Sequence, residues 1–296
     1  MNIRINGIRH FFRKLVLHVV ACVIVIFPLA ALAAPAILYT DIESGPNTGG
    51  ENNNGAYLSI FGKGFGANLS QVKVYVGNGE VARYMYLGPS LGRPDVQELS
   101  IQLGPNTSTG AIKVTVNGVA SNTDHSFTVR PGNFYFISPT GNDSTGVKND
   151  ITYPYRSANT VQNLNAFTAG DFIIALPGTY VLANTDAASN NGSWLRAGKS
   201  GTASAPLAFL GYPGHQALVQ HSNGVYIFSN YASIAYWVVG NFPITLTDCS
   251  SNHAGEIMML GRPSSTAICQ GGPSGDVGGK VSFTKVVNIE SNGNDT

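Results

Sequence analysis

Between residues 57 and 129, apolar and polar positions alternate in short runs. The clearest are Tyr57-Leu58-Ser59-Ile60-Phe61, Val72-Lys73-Val74-Tyr75-Val76, Glu98 to Leu103, Ala111 to Val116 and Ser126 to Val129. A period of two marks half-buried strands, and the Gly, Asn and Pro residues between them mark turns. The runs predict a small antiparallel β-sandwich over 34–130. A Cys-Trp-Cys signature is absent, which excludes an antibody-type domain. Arg130-Pro131-Gly132-Asn133 reads as a linker. Beyond it the runs become more continuously apolar: Leu207 to Leu210, Ala217 to Val219, Val225 to Phe228, Tyr236 to Val239, Ile257 to Leu260, Ala267 to Cys269 and Val281 to Phe283. Trp237 and Ile257 are twenty residues apart, and Ile257 and Val281 twenty-four, spacings that suit one coil per repeat. Ala158, Val161 and Leu164 recur every three residues and predict a short amphipathic helix. Such a helix covers the open end of a coil stack, whose unpaired strands would otherwise invite aggregation. Nothing alternates as βαβα, so a doubly wound sheet is excluded.

The N-terminus carries a different pattern. Arg4, Arg9, Arg13 and Lys14 precede the apolar run Leu15 to Leu32, and Ala31-Leu32-Ala33 has the small-x-small form of a cleavage site. Residues 1–33 therefore read as a signal peptide cut after Ala33, with a single membrane anchor as the competing reading. Removing four positive charges and no acids takes the formal charge from +1 to −3. The mature chain has no basic stripe, which argues against a nucleic-acid partner. Cleavage leaves no membrane insertion, and the location expected is secreted, periplasmic or cell-surface. Cys249 and Cys269 remain after cleavage. Stacked coils lie ~4.8 Å apart, within disulfide reach, and export leads to an oxidising compartment. A coil-to-coil disulfide is expected, with two buried thiols as the alternative. No second Cys or His pair flanks either cysteine at metal-ligand spacing, so no metal site is expected.

Two stretches resemble known families. Ser44-Gly45-Pro46, Gly49-Gly50 and Ile60-Phe61-Gly62-Lys63-Gly64-Phe65-Gly66, with Gly104-Pro105-Asn106 and Gly110 to Val116 later, resemble the IPT/TIG domain, an immunoglobulin-like sandwich. The resemblance implies a spacer or binding module. Phe65 can turn inward as a plug, and the polar stretch Gly45 to Gly55 departs from the family and reads as an exposed loop. Phe134 to Asp143, Tyr153-Pro154-Tyr155, Gly170 to Tyr180 and Ser200 to Gly214 resemble, in order, the opening of the right-handed parallel β-helix of the pectate-lyase-like superfamily. The fold expected is all-β: an IPT/TIG-like sandwich over 34–130, then the N-terminal portion of a right-handed parallel β-helix over 131–296. Thr296 falls within what reads as the third or fourth coil, so the helix is expected to be truncated and the catalytic coils to lie beyond it.

The second resemblance implies β-elimination in an acidic polysaccharide. A base removes the proton beside a uronate carboxylate, while calcium or an Arg holds the developing charge. Calcium is therefore the cofactor to consider for the full-length parent, and an acidic polysaccharide the partner. No catalytic constellation is legible. Asp143 and Asp171 read as turn caps. Asp248, His253 and Glu256 form the densest ionisable group on a turn, and Lys280 and Lys285 are candidate groove charges. These five are the candidate substrate-binding residues. His215 and His221 read as surface residues. The function expected is an exported polysaccharide-active protein, part of a uronate lyase. The alternative is a non-catalytic cell-surface carbohydrate-binding or adhesion protein.

Overall fold

Alternation over residues 36–129 becomes two sheets. The computed structural model describes residues 34–181, 193–221, 223–227, 234–235, 237–246, 258–260, 281–282 and 285–293. The chain divides into Met1–Ala33, outside the described residues, and one compact unit, Ala34–Thr296. The leader reading thus falls outside the described residues. Ten strands come first: β1 (Ala36–Thr40), β2 (Ser44–Gly45), β3 (Tyr57–Lys63), β4 (Val72–Val76), β5 (Gly79–Glu80), β6 (Arg83–Ser90), β7 (Arg93–Gln102), β8 (Gly110–Val116), β9 (Val119–Ala120) and β10 (Ser126–Val129). One sheet has the order β1-β3-β7-β6 and is antiparallel throughout. The other runs β2-β10-β8-β4-β5, with β9 on β8, and its one parallel pair is β2 with β10. Leu58, Ile60, Leu99 and Ile101 of the first sheet share a core with Val74, Ile112, Val114 and Phe127 of the second.

The glycine-rich turn after β3 closes this core. Gly64 and Gly66 have φ of 74° and 78°, a region disfavoured for residues with a Cβ. Phe65 between them is fully buried. Gln97 clamps the turn, accepting from the Phe65 N–H at 2.8 Å and donating to the Gly66 carbonyl at 2.7 Å.

After residue 130 every pairing between the named strands of the described residues is parallel. The strands are β11 (Phe134–Ile137), β12 (Phe172–Ala175), β13 (Gly178–Val181), β14 (Ser193–Ala197), β15 (Leu207–Gly211), β16 (Ala217–His221), β17 (Asn223–Ile227), β18 (Ile234–Ala235), β19 (Trp237–Leu246), β20 (Met258–Leu260), β21 (Val281–Ser282) and β22 (Lys285–Gly293). They stack as ladders. One is β11-β12-β15-β19-β22, another β13-β16-β19-β22, a third β14-β17-β20, with β18 on β21. The long strands β19 and β22 serve two ladders because β19 turns at Asn241, whose φ is 63°. The predicted helix is α1 (Ala158–Asn163); the Ser157 hydroxyl caps it, accepting from the N–H groups of Asn159 and Thr160. Ala158 and Val161 are buried, and α1 packs on β14, the first strand of its ladder.

The apolar runs face two cores. Tyr135, Ile137, Ile173, Ala175, Leu207, Phe209 and Val239 turn into one cluster with α1. Their neighbours Phe134, Phe136, Phe172, Ile174, Ala208, Leu210 and Val238 turn the other way and join the cluster of the antiparallel sheets. Both faces of this parallel sheet are therefore buried, the reason its strands read as continuous apolar runs.

Polar cross-links span the same seam. Asn241 donates to Asp41 at 2.6 Å, and Tyr212 to Glu51 at 3.0 Å. Arg130 donates to the carbonyls of Gly170 and Pro206, at 2.7 and 3.1 Å, and to Ser44 Oγ at 2.9 Å.

Two expectations change. Gly45 to Gly55 is only partly exposed: Thr48, Asn52 and Asn53 face solvent, but Gly45 and Gly50 are buried, where an added Cβ would lie 3.0 Å from the rings of Phe172 and Phe134. The spacing from Trp237 to Ile257 is not one coil. The strand next after β19 in sequence, β20, stacks on β17, whereas the strand that stacks on β19 is β22. A turn of this chain uses several strands, so successive strands lie on different faces. Among the described residues, the chain is all-β with one short α-helix and two single-turn 3-10 helices, and no helix is long and apolar enough to cross a membrane.

Candidate functional site

A polar cavity of about 390 Å³ opens where β1, the segment leading into β10, and β22 meet. Its walls include Tyr39, Glu43, Asp124, His125, Thr128 and Lys285. Each is placed by the local fold. Tyr39, next to last in β1, has its ring stacked on Phe61, centroids 4.6 Å apart and planes 13° from parallel. Burial pushes its hydroxyl above the ordinary phenol range, against an opposing hydrogen bond with Ser90. Asp124 and His125 sit just before β10, with His125 Nε2 4.0 Å from Asp124 Oδ1. Asn122 fixes that segment to β1, accepting from the Ile37 N–H at 2.7 Å and donating to the Ile37 carbonyl at 2.9 Å.

Lys285 comes from the far end of the chain. As the first residue of β22 it is aimed at β1 by its pairing with Val238. Its Nζ donates to the Thr40 carbonyl at 2.6 Å and to Glu43 Oε1 at 3.1 Å. An ammonium engaged this way is a donor and a positive charge, not a base. The cavity thus presents one ammonium, one imidazole, two carboxylates and the hydroxyls of Ser126 and Thr128, with an aromatic ring beside them. The lining can therefore both accept hydrogen bonds, at the carboxylates, and donate them, at the lysine.

Of the candidate residues, Lys285 is the one the structure places. Asp248, His253, Glu256 and Lys280 lie outside the described residues, as do Cys249 and Cys269 with their expected disulfide. Among the described residues, no group of three or more His, Cys, Asp or Glu is arranged to hold a metal ion. Asp143 accepts from the N–H groups of Arg156 and Ser157 and from Thr160 Oγ1. Asp171, almost fully buried, accepts from the N–H groups of Asn133 and Thr168. Both carboxylates hold turns.

His215 is not a surface residue. Its side chain is 11% exposed, with Nε2 2.8 Å from Glu98 Oε2. Sequence reasoning also passed over Asp41 and Glu98, 1% and 0% exposed. The signal for Glu98 was its place on one face of a strand with Ser100 and Gln102, which reads equally well as a solvated face.

No known protein-family model matches the chain, and no curated protein does. Among solved structures, a rhamnogalacturonan lyase aligns with 22% identity over 38% of this chain, with a TM-score of 0.30. The alignment spans 28% of that lyase, and a likeness of this size carries no argument about activity.

Proposed function

We propose that this is an exported carbohydrate-active protein. In this reading an IPT/TIG-like, immunoglobulin-like sandwich is fused to a right-handed parallel β-helix, and the cavity between Tyr39 and Lys285 receives a sugar ring. The observation that carries the reading is the cavity's chemistry. At about 390 Å³ it sits at the small end of ligand-sized pockets. It offers hydrogen-bond donors and acceptors of both charges beside the Tyr39 ring, and aromatic faces stack on sugars. The parallel ladders and the four ordered sequence matches after Phe134 support the β-helix part of the reading.

The finer reading is a uronate lyase acting by β-elimination. Lys285 would neutralise a ring carboxylate, and the base would come from residues other than those in the cavity. The second reading, a non-catalytic binding or adhesion protein, is favoured by one specific observation: the cavity's ammonium is already held by Thr40 and Glu43. With Glu43 and Asp124 in the wall, a ring with at most one acid group fits better than a densely anionic chain.

Calorimetric titration of the mature protein with neutral hexose oligomers and with polygalacturonate tests this. The same mixtures are followed by ultraviolet absorbance for unsaturated products, with and without calcium. Binding that is lost in Lys285→Ala and His125→Ala supports the cavity, and product formation adds the lyase reading. Absence of binding to every oligomer, or binding unchanged in both variants, overturns it.

A further inference from the structure

We infer that the seam between the antiparallel sheet β1-β3-β7-β6 and the parallel sheet is a proton-linked clasp, closed more tightly in mild acid than above neutrality. Its centre is a chain of buried polar side chains. Asp41 Oδ1 accepts from the N–H groups of Ile42 and Ser59 at 2.7 and 2.9 Å, and Oδ2 accepts from Asn241 Nδ2 at 2.6 Å. Ser59 Oγ donates to Glu98 Oε1 at 3.0 Å, and Ser100 Oγ donates to the same oxygen at 2.7 Å. Glu98 Oε2 faces His215 Nε2 at 2.8 Å. The distance is that of a bond, but neither ring nitrogen meets directional hydrogen-bond geometry. The contact is therefore chiefly electrostatic. It is attractive when the ring is an imidazolium.

The parallel side delivers its two contributors from unusual backbone. His215 has φ of 59° and Asn241 φ of 63°. His and Asn are among the residue types that tolerate this region, and such conformations persist where the surroundings impose them. Both residues point into the seam from bends, His215 after β15 and Asn241 within β19.

Two carboxylates, Asp41 and Glu98, thus lie buried on either side of Ser59. Further ionisable groups lie around them among the described residues. His215 faces Glu98, with the Tyr86 ring edge-on to the imidazole at 5.2 Å. Lys285 bonds the carbonyl of Thr40, next to Asp41, and pairs with exposed Glu43 at the rim. Tyr39 lies beyond Thr40. With both carboxylates ionised and the imidazole neutral, the seam buries two negative charges in a medium that penalises each. Protonation of Asp41 removes one of these charges.

Burial is the largest influence on Asp41, pushing its carboxyl up to about 7 against the three hydrogen bonds that favour ionisation. An unfolded Asp ionises near ~4. The folded form therefore keeps a proton that the unfolded form has already lost. This contribution to stability is fully present below ~4 and is lost as pH rises through about 7. A protonated Oδ2 donates to the Asn241 amide oxygen once that amide turns over, so the cross-link survives protonation.

The test compares thermal unfolding of the mature protein and Asp41→Asn between pH 5 and pH 8. Asparagine accepts the same two backbone N–H groups and does not titrate. The wild-type melting temperature is expected to fall by several degrees across this range, with most of that slope absent in the variant. Hydrogen exchange at the Ile42 and Ser59 amides, corrected for intrinsic pH dependence, is expected to accelerate with pH in the wild type alone. Equal slopes in the two proteins overturn the clasp. Should the variant not fold, carbon-13 titration of the wild-type Asp41 carboxyl decides: a midpoint near 7 upholds the clasp, and one near ~4 overturns it.

Discussion

Tyr212 donates its hydroxyl to Glu51 Oε2 at 3.0 Å, across 161 residues of chain. The same oxygen accepts from Tyr57 at 2.8 Å and lies 2.8 Å from Arg83 Nη1. The two tyrosine rings meet edge to face, with centroids 5.1 Å apart. One carboxylate thus ties the turn before β3, strand β6 and the end of β15 together. The first segment is bound to the parallel ladders by polar chemistry as well as by a shared apolar cluster.

Removing the two ends of that tie should have unequal effects. Tyr212→Phe keeps the ring and loses one bond to an anion, expected to cost about 1–2 kcal/mol. Glu51→Gln should cost more, since it removes the charge that Arg83 and both hydroxyls share. A double-mutant cycle by denaturant unfolding should give a coupling of about 1 kcal/mol between positions 51 and 212. Strict additivity would show that the tie is not formed.

Arg130 places three bonds on carbonyl and hydroxyl oxygens of three segments, at Ser44, Gly170 and Pro206. Burial draws its guanidinium below its ordinary value, and the Asp171 carboxylate opposes that shift. Lysine has a single nitrogen and cannot reproduce the fork. Arg130→Lys is therefore expected to lower stability by about 2 kcal/mol, read as a shift in urea midpoint without a change in slope.

Leu210 tests which side of the parallel sheet is covered. Were that side wet, Leu210→Ala would be nearly neutral. Leu210 is 2% exposed, against the antiparallel sheets, so the substitution should cost about 2–5 kcal/mol. Phe209→Ala, on the opposite face, should cost a comparable amount.

Gly240 seats β22 on β19. A Cβ there would meet the Val287 carbonyl oxygen at 1.8 Å. Backbone has to move for any side chain to fit, so Gly240→Ala should unseat Lys285 from Thr40 along with β22. Faster hydrogen exchange across 285–293, with β11 and β12 unchanged, is the expected result.

Among the described residues, the sequence by itself determined many of the strands (though not β1, β6 or β14), the short helix at Ala158, and the turn at Gly62 to Gly66. Alternation, a Ser cap and glycines at positive φ are local requirements, and local pattern reports them. It determined also that the runs after Phe134 are apolar on both faces. What covers the outer face was left to the tertiary structure, because a period of two records burial but not the partner. Pairing was likewise decided there: β19 stacks with β22 because a turn of the chain visits several faces before returning, and spacing between successive strands does not measure that. The seam was the least legible part. Asp41 meets Asn241 across 200 residues, and Glu98 lies on a strand face whose Ser and Gln neighbours look the same whether they face water or another sheet. Polar side chains that satisfy one another in a buried interface leave the same pattern as a solvated surface. Only the arrangement of the two sheets separates the cases, and with it the charges that burial made responsive to pH.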